Sequence, residues 1–168
     1  MSVVSTLRQA DIFYEFTLTQ LELIASICTE HTYDVGSVIF EENTNGSELY
    51  VIVDGEVEIQ VDPSLVGKPG IGQPETIAKL RRGQSFGEVA LVDQGLRSAR
   101  AVSSNPETRL LVIQRDKLML LCDSYPQLGY RLMRNLAADL AMKIRNTDLK
   151  VREYLTWMHK DDPQPNSN

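Results

Sequence analysis

The clearest pattern of hydrophobic and polar positions lies in residues 48–61, ELYVIVDGEVEIQV. An apolar run precedes Asp54-Gly55, and apolar and polar side chains alternate after it. A period of two is typical of a β-strand with one buried face. Asp-Gly between two such runs is a strong signal for a tight hairpin. The pattern therefore predicts two strands joined by a hairpin at these two residues.

The zone from about Thr29 to Ile113 holds further short β-rich runs, GSVIF, ETIAKL, ARAVS and RLLVI, separated by Gly, Pro or Asn. Many short strands with no long helix between them favour an antiparallel sandwich or barrel. Residues 62–75 contain three prolines and three glycines. We expect this segment to be a long hairpin loop.

Helical periodicity precedes the strands, in residues 1–28. Thr17 or Thr19 is a candidate N-cap, with Gln20 or Glu22 three positions later as the partner of a capping box. Apolar residues then recur on one face of the predicted helix. The N-terminal part is expected to pack as short helices against the strands.

Helical periodicity returns in residues 115–159, where Pro126 ends a first short helix. A proline-free stretch follows, in which apolar residues recur every four positions: Leu128, Leu132, Leu136, Leu140 and Ile144. This stripe either packs on its own strands or pairs with the same helix of a second copy. Val151, Leu155 and Trp157 extend it beyond the reach of a small domain, which favours a homodimer. Residues 160–168 are expected to be a disordered tail.

Composition narrows the functional classes. A chain of 168 residues suits one domain, and its net charge of −6 argues against a nucleic-acid partner, because binding phosphates requires clustered Lys and Arg. Cys28 and Cys122 are predicted to be free thiols in a reducing compartment. We find neither a signal-peptide pattern nor a bilayer-spanning stretch, so we expect a cytoplasmic protein with no membrane partner.

Candidate chemistry concentrates in FGEVALVDQGLRSAR, residues 86–100. Gly87 lies where β structure gives way to a short helical turn, and free backbone N–H groups there favour an anion. Arg97 offers a guanidinium fork suited to phosphate oxygens, and Ser98 adds a hydroxyl donor. Glu88, as an acceptor, suits a sugar hydroxyl. The alternative is a Glu88–Arg97 salt bridge that joins two strands.

The same segment resembles the phosphate-binding cassette of the cyclic nucleotide-binding domain family, which includes catabolite activator proteins, protein kinase A and G regulatory regions and cyclic nucleotide-gated channels. The matching positions are Phe86, Gly87, Glu88, Val89, Ala90, Leu91, Arg97, Ser98 and Ala99. The strand–Gly–strand around Gly55 resembles a second landmark of the family. The resemblance implies a mainly β fold, an eight-stranded antiparallel β-roll (jelly roll) with N-terminal helices and a long C-terminal helix.

The resemblance also implies roles for single residues. Glu88 would accept from the ribose 2′-hydroxyl and Arg97 would bind an exocyclic phosphate oxygen. The N–H groups of Val89 and Ala90, with Ser98, would complete the phosphate cradle. The long helix places two further residues near the base. The predicted ligand-binding set is Phe86, Gly87, Glu88, Val89, Ala90, Arg97, Ser98, Ala99, Thr147 and Asp148. Arg100, a departure from the family pattern, is expected to be a solvated side chain.

These observations predict a cytoplasmic sensor for cAMP or cGMP, with the choice of base left open. Only His31 and His159 could supply imidazole, so we expect no metal, no cofactor and no enzymatic activity. Catabolite activator proteins continue into a helix-turn-helix DNA-binding domain. This chain stops, so the sensor is expected to act on an unknown effector protein through movement of its C-terminal helix. The alternatives are a nucleotide-free scaffold for protein–protein interaction and a DNA-binding regulator reduced to its sensor.

Overall fold

The computed structural model describes residues 2–63 and 73–160, in which two four-stranded antiparallel sheets face each other. The first sheet has the order β1-β8-β3-β6 and the second the order β2-β7-β4-β5. The strands are β1 Cys28–Tyr33, β2 Val38–Phe40, β3 Glu48–Asp54, β4 Glu56–Val61, β5 Glu75–Arg81, β6 Ser85–Phe86, β7 Arg100–Ser103 and β8 Thr108–Gln114. The predicted fold class, a β-roll of eight strands with flanking helices, is confirmed.

Five α-helices and one 3-10 turn flank the strands within the described residues. They are α1 Val3–Gln9, the 3-10 turn Asp11–Phe13, α2 Leu18–Ala25, α3 Glu88–Asp93, α4 Arg115–Ser124 and α5 Pro126–Lys160. The capping box of α2 is confirmed and uses Thr17 and Gln20, whose side chains and backbone N–H groups bond reciprocally. No helix in the described part of the chain combines the length and the hydrophobicity that a bilayer crossing requires.

The predicted hairpin at Asp54-Gly55 is wrong. β3 pairs with β6 and β8, whereas β4 pairs with β5 and β7, so the turn is a corner between the two sheets. Gly55 has φ +88°, and a Cβ there would lie 2.5 Å from the hydroxyl of Thr108. The strand passes so close to β8 at this corner that only glycine fits. The 62–75 loop joins the paired strands β4 and β5, and its residues 64–72 lie outside the described residues.

The stripe on α5 divides into two halves. Leu128, Leu132 and Leu136 are buried in the main core cluster, together with side chains of α1, α2 and the first sheet. The amide of Asn135 reinforces this packing by donating to the carbonyls of the 3-10 region, 3.0 Å from Ile12 O. Further along, Ile144 is 61% exposed. The first half therefore packs on its own roll, and the second half leaves its apolar side chains uncovered. Of the predicted tail, residues 160–168, Lys160 is the last residue of α5, and residues 161–168 lie outside the described residues.

Candidate functional site

The predicted cassette begins where β6 meets α3. Phe86 is buried and pairs with Tyr50 across the sheet, with ring centroids 5.0 Å apart. Gly87 follows with φ +86°, a left-handed conformation that turns the chain from the strand into α3. Glu88 is the first residue of the helix. A rigid aromatic anchor and a glycine turn thus fix the start of the cassette.

Arg97 is 2% exposed, and carbonyl and carboxylate oxygens surround its guanidinium. Nη1 donates to the Gly87 carbonyl at 3.2 Å. Nη2 donates both to the Glu48 carbonyl and to the Glu48 carboxylate, each at 3.0 Å. Burying a cation is tolerated when it has such partners. No sequence motif pointed to Glu48 as the carboxylate that neutralises Arg97.

Aromatic rings complete the surroundings of Arg97. Its guanidinium carbon lies 4.3 Å from the ring centroid of Phe40 and 5.7 Å from that of Tyr50, distances at which a ring face attracts a cation. Burial, with a smaller contribution from nearby Glu48, raises the pKa of Tyr50 to about 12. The phenol therefore stays neutral at physiological pH, and Glu48 supplies the negative charge beside Arg97.

Two glycines bring the backbone against this guanidinium. A Cβ at Gly46 would lie 2.5 Å from Arg97 Nε, and a Cβ at Gly87 would lie 2.8 Å from Nη1. Both distances are far below van der Waals contact, so any side chain at either position would displace the arginine. Close backbone approach is a principal use of glycine at ligand sites. Arg97 is thus held from several sides.

Glu88 is 5% exposed and has a different partner, Lys143 of α5. Lys143 Nζ lies 2.9 Å from Glu88 Oε1, 2.9 Å from the Ser85 carbonyl and 2.7 Å from Asp139 Oδ2. The first two contacts are hydrogen bonds that the ammonium donates, and the third is an ion pair. Lys143 thereby ties the long helix to the start of the cassette.

The alternative of a Glu88–Arg97 salt bridge is wrong, because each group has its own partner. Within the cassette, residues 86–99, two buried polar atoms nevertheless have no hydrogen-bond partner among the described residues: Arg97 Nε, a donor, and Glu88 Oε2, an acceptor. Outside the cassette the same holds for Ser85 Oγ, Arg100 Nε and Asp139 Oδ2. Unpaired buried polar groups are rare and costly in folded proteins. The cassette therefore holds one donor and one acceptor that have no partner in the described protein.

The remaining predicted cassette residues have varied surroundings. Val89 and Ala90 lie in the first turn of α3, and Val89 is partly exposed. Ser98 is exposed and Ala99 is buried. Arg100 is not simply solvated, because Glu41 lies 3.2 Å from its Nε. The ion pair supplies Arg100 with a counter-charge.

Thr147 and Asp148 lie on the exposed part of α5, one turn beyond Lys143. Helical geometry puts Thr147 about 40° around the axis from Lys143 and Asp148 about 140° from it. Thr147 is therefore on the side of the helix that Lys143 directs to the roll, and its hydroxyl donates to the Lys143 carbonyl at 3.0 Å. Asp148 is on the opposite side. Their predicted contact with the base stays a prediction.

A sequence profile described as cyclic nucleotide-binding domain matches residues 30–125, more than half of the chain. The chain belongs to the cyclic nucleotide-binding domain family. It is 31% identical over 145 residues to the cyclic AMP receptor protein of Thermus thermophilus, covering 86% of this chain and 62% of that protein. It is 28% identical over 110 residues to human cGMP-dependent protein kinase 2, covering 66% of this chain and 14% of the kinase.

Among solved structures, a cyclic nucleotide-binding domain from Methylobacillus flagellatus superimposes with a TM-score of 0.76 at 26% identity, covering 90% of this chain and 82% of that one. The chain thus spans less than two thirds of the two curated relatives named above. The family membership and the roll agree with the resemblance seen in the cassette.

Sequence reasoning did not identify Glu48 or Lys143 as site residues. Glu48 is the polar residue that begins a buried strand, and Lys143 is one of several charged residues along α5. Their contacts to the cassette span 49 and 55 positions of the chain. The only available signal was that a buried Arg97 and a buried Glu88 each require a partner of opposite charge.

Proposed function

We propose that the protein is a sensor that binds cAMP or cGMP inside the roll and passes the signal on through α5. Membership in the family supports cyclic nucleotide binding in general. The observation that carries the proposal is the pair of unpartnered buried atoms, Arg97 Nε and Glu88 Oε2. A cyclic nucleotide supplies what both lack, since its phosphate oxygens accept hydrogen bonds and its ribose 2′-hydroxyl donates one.

A thermal-shift assay tests this proposal. A ligand that binds only the native state raises the melting temperature. Millimolar cAMP or cGMP is expected to stabilise the protein, whereas 5′-AMP, which has a dianionic phosphate and no ring closure, is expected to stabilise it less. Absence of any shift would favour the alternative, a nucleotide-free scaffold for protein–protein interaction.

The finer part of the proposal is that α5 responds to the ligand through Lys143. This side chain holds Glu88 Oε1 and leaves Glu88 Oε2 free for the 2′-hydroxyl. Ligand occupancy and helix position then act on the same carboxylate. A ligand shifts an equilibrium between two positions of α5 only by its difference in affinity for them. The contacts of the Glu88 carboxylate would produce that difference in affinity.

We therefore predict that Lys143→Met weakens cAMP binding on the order of tenfold, because Glu88 loses the ammonium that orients it. The same substitution should leave the affinity for 2′-deoxy-cAMP unchanged, since that analogue lacks the hydroxyl. Calorimetric titration of both proteins with both nucleotides measures this coupling.

Lys150→Met is the matched control, since Lys150 also reaches from α5 to the roll, at the Ile77 carbonyl, without contacting the cassette. The Lys150→Met substitution should have the same effect on the affinity for cAMP as on the affinity for 2′-deoxy-cAMP. An equal loss for cAMP and 2′-deoxy-cAMP in the Lys143 variant would contradict the proposed role of Lys143.

We further propose that the exposed part of α5 forms a homodimer. Exposed or half-buried residues repeat every seven positions along it, which is the spacing of a coiled-coil seam. The seam comprises Tyr130, Ala137, Ile144, Val151 and Met158, with Met133, Leu140, Thr147 and Tyr154 three residues after the first four. A continuous row of side chains that is interrupted by one polar residue, Thr147, and is otherwise apolar is typical of an interface. Because Thr147 belongs to the seam, the dimer interface would lie next to the nucleotide site.

Ile144→Glu with Val151→Glu is expected to convert the dimer to a monomer, since carboxylates at the centre of a seam cannot be buried without partners. Light scattering should give twice the 18.9 kDa chain mass for the wild type and a single chain mass for the variant. Leu149→Glu, about 140° around the helix from Ile144 and equally exposed, is the control and should remain dimeric. A wild-type monomer at all concentrations would refute the proposed dimer.

We also propose a cytoplasmic location and an effector protein as the recipient of the signal. Burial raises the pKa of Cys28 to about 12, and Cys28 and Cys122 are free thiols, which fits a reducing compartment. The effector would contact the exposed face of α5 that lies opposite the dimer seam.

A further inference from the structure

Glu48 occupies the edge of Arg97 that a phosphate needs. The Nε–H and one Nη2–H of a guanidinium point in parallel, and this edge is the one that binds an oxyanion with two hydrogen bonds. Here Nε has no partner, whereas both hydrogens of Nη2 are directed to Glu48, one to its carbonyl and one to its carboxylate. Half of the edge is therefore free and half is occupied by an anion of the protein itself.

The Glu48 carboxylate lies at the surface, in contrast to the Arg97 guanidinium. The Glu48 side chain is 37% exposed, while the Arg97 side chain is 2% exposed. Its other contact is the neighbouring Ser47 N–H at 3.1 Å, on the same surface segment. Moving Glu48 into water restores its hydration, whereas Arg97 cannot follow, because Phe40, Gly46 and Gly87 enclose it. An exchange of anions would thus take place on a fixed cation.

Charge balance favours an exchange of the Glu48 carboxylate for the ligand phosphate. Arg97 and Glu48 together are neutral, so a cyclic phosphate that entered while the carboxylate remained would leave two anions on one buried cation. Like charges at such distances repel strongly where water is excluded. If the phosphate replaces the carboxylate, one anion takes the place of another and the buried cation stays neutralised.

We infer that Glu48 is an internal competitor of the ligand phosphate and sets the affinity of the site, an inference that rests on the proposed function. In the ligand-free protein it stabilises the buried Arg97, and on binding its carboxylate yields Nη2 to the phosphate. Glu48 is accordingly an affinity-determining residue. Removal of its charge should raise the affinity for the nucleotide and lower the stability of the empty protein.

The test compares the wild type, Glu48→Gln and Glu41→Gln by titration with cAMP and cGMP and by thermal melting without nucleotide. Glutamine keeps the shape of Glu48 and loses the charge, so nucleotide affinity should rise on the order of five- to tenfold. The melting temperature of the empty protein should fall, because Arg97 loses its counter-charge. Glu41→Gln, which breaks the neighbouring ion pair with Arg100 at 3.2 Å, should leave the affinity unchanged.

Glu48→Asp provides a second variant that keeps the charge near Arg97 but shortens its reach, and its affinity should lie between those of the wild type and Glu48→Gln. Equal or weaker binding by a folded Glu48→Gln protein, with a wild type that binds, would overturn the inference and leave the proposed function intact. Nucleotide binding by Glu48→Gln alone would support the inference strongly. Failure of both proteins to bind at millimolar nucleotide would overturn the inference and the proposed function together.

Discussion

Arg97→Ala is expected to weaken nucleotide binding by about 2–5 kcal/mol, roughly thirtyfold to several thousandfold. The guanidinium is the buried cation of the cassette, and its Nε donor has no partner in the empty protein. Alanine removes both the charge and the fork that a phosphate would use. It also leaves the Glu48 carboxylate without its cation, so the negative charge beside the site would then repel the ligand.

Arg100→Ala is the matched control for this experiment. Arg100 is three residues further along, carries the same charge and pairs with Glu41 at the surface. Its loss should change affinity by less than about 1 kcal/mol, because its ion pair with Glu41 is partly exposed and such pairs contribute little. Calorimetric titration of both variants with cAMP and cGMP decides the matter. Wild-type affinity in the Arg97 variant, or an equal loss in both variants, would contradict the assignment of Arg97 as the phosphate ligand.

Gly87→Ala is expected to reduce both stability and nucleotide affinity, the latter by at least about tenfold. At φ +86° an alanine has a conformational penalty of about 1–2 kcal/mol. Its Cβ would additionally lie 2.7 Å from the Glu48 carbonyl and 2.8 Å from Arg97 Nη1. The backbone of β3 cannot shift easily because it is paired on both sides, so the arginine would be displaced.

Gly36→Ala separates these two effects. Gly36 has φ +79°, nearly the same as Gly87, and a Cβ there would meet no atom within 4 Å. This variant should have the conformational penalty alone, seen as a lower melting temperature with unchanged nucleotide affinity. If Gly36→Ala lowered the affinity as much as Gly87→Ala, the effect would be a general loss of stability and not a displaced Arg97.

Local patterns in the sequence predicted much of the fold. The capping box at Thr17 and Gln20 and the start of a long helix after Tyr125 are encoded within a few residues. The hairpin at Asp54-Gly55 was wrong because a turn signal specifies a change of direction and not the partners of the strands on either side. Those partners are set by long-range pairing, here with β8 and β7.

The cassette of the candidate site could be predicted from the sequence, whereas the counter-ions of its charged residues could not. Gly87, Glu88 and Arg97 lie within eleven residues and carry a recognisable spacing. Glu48 and Lys143 approach them only because the roll closes and α5 folds back across it. The leucine stripe on α5 likewise could not indicate where the roll ends, because its period is the same on the buried and on the exposed half.

The most direct test of the account is a calorimetric titration of the purified, nucleotide-free wild-type protein with cAMP and with cGMP. The central claim is that the empty donor at Arg97 and the empty acceptor at Glu88 serve one small ligand. We expect saturable binding of at least one of the two nucleotides, with one site per chain. Absence of binding by either nucleotide at millimolar concentration would contradict the claim.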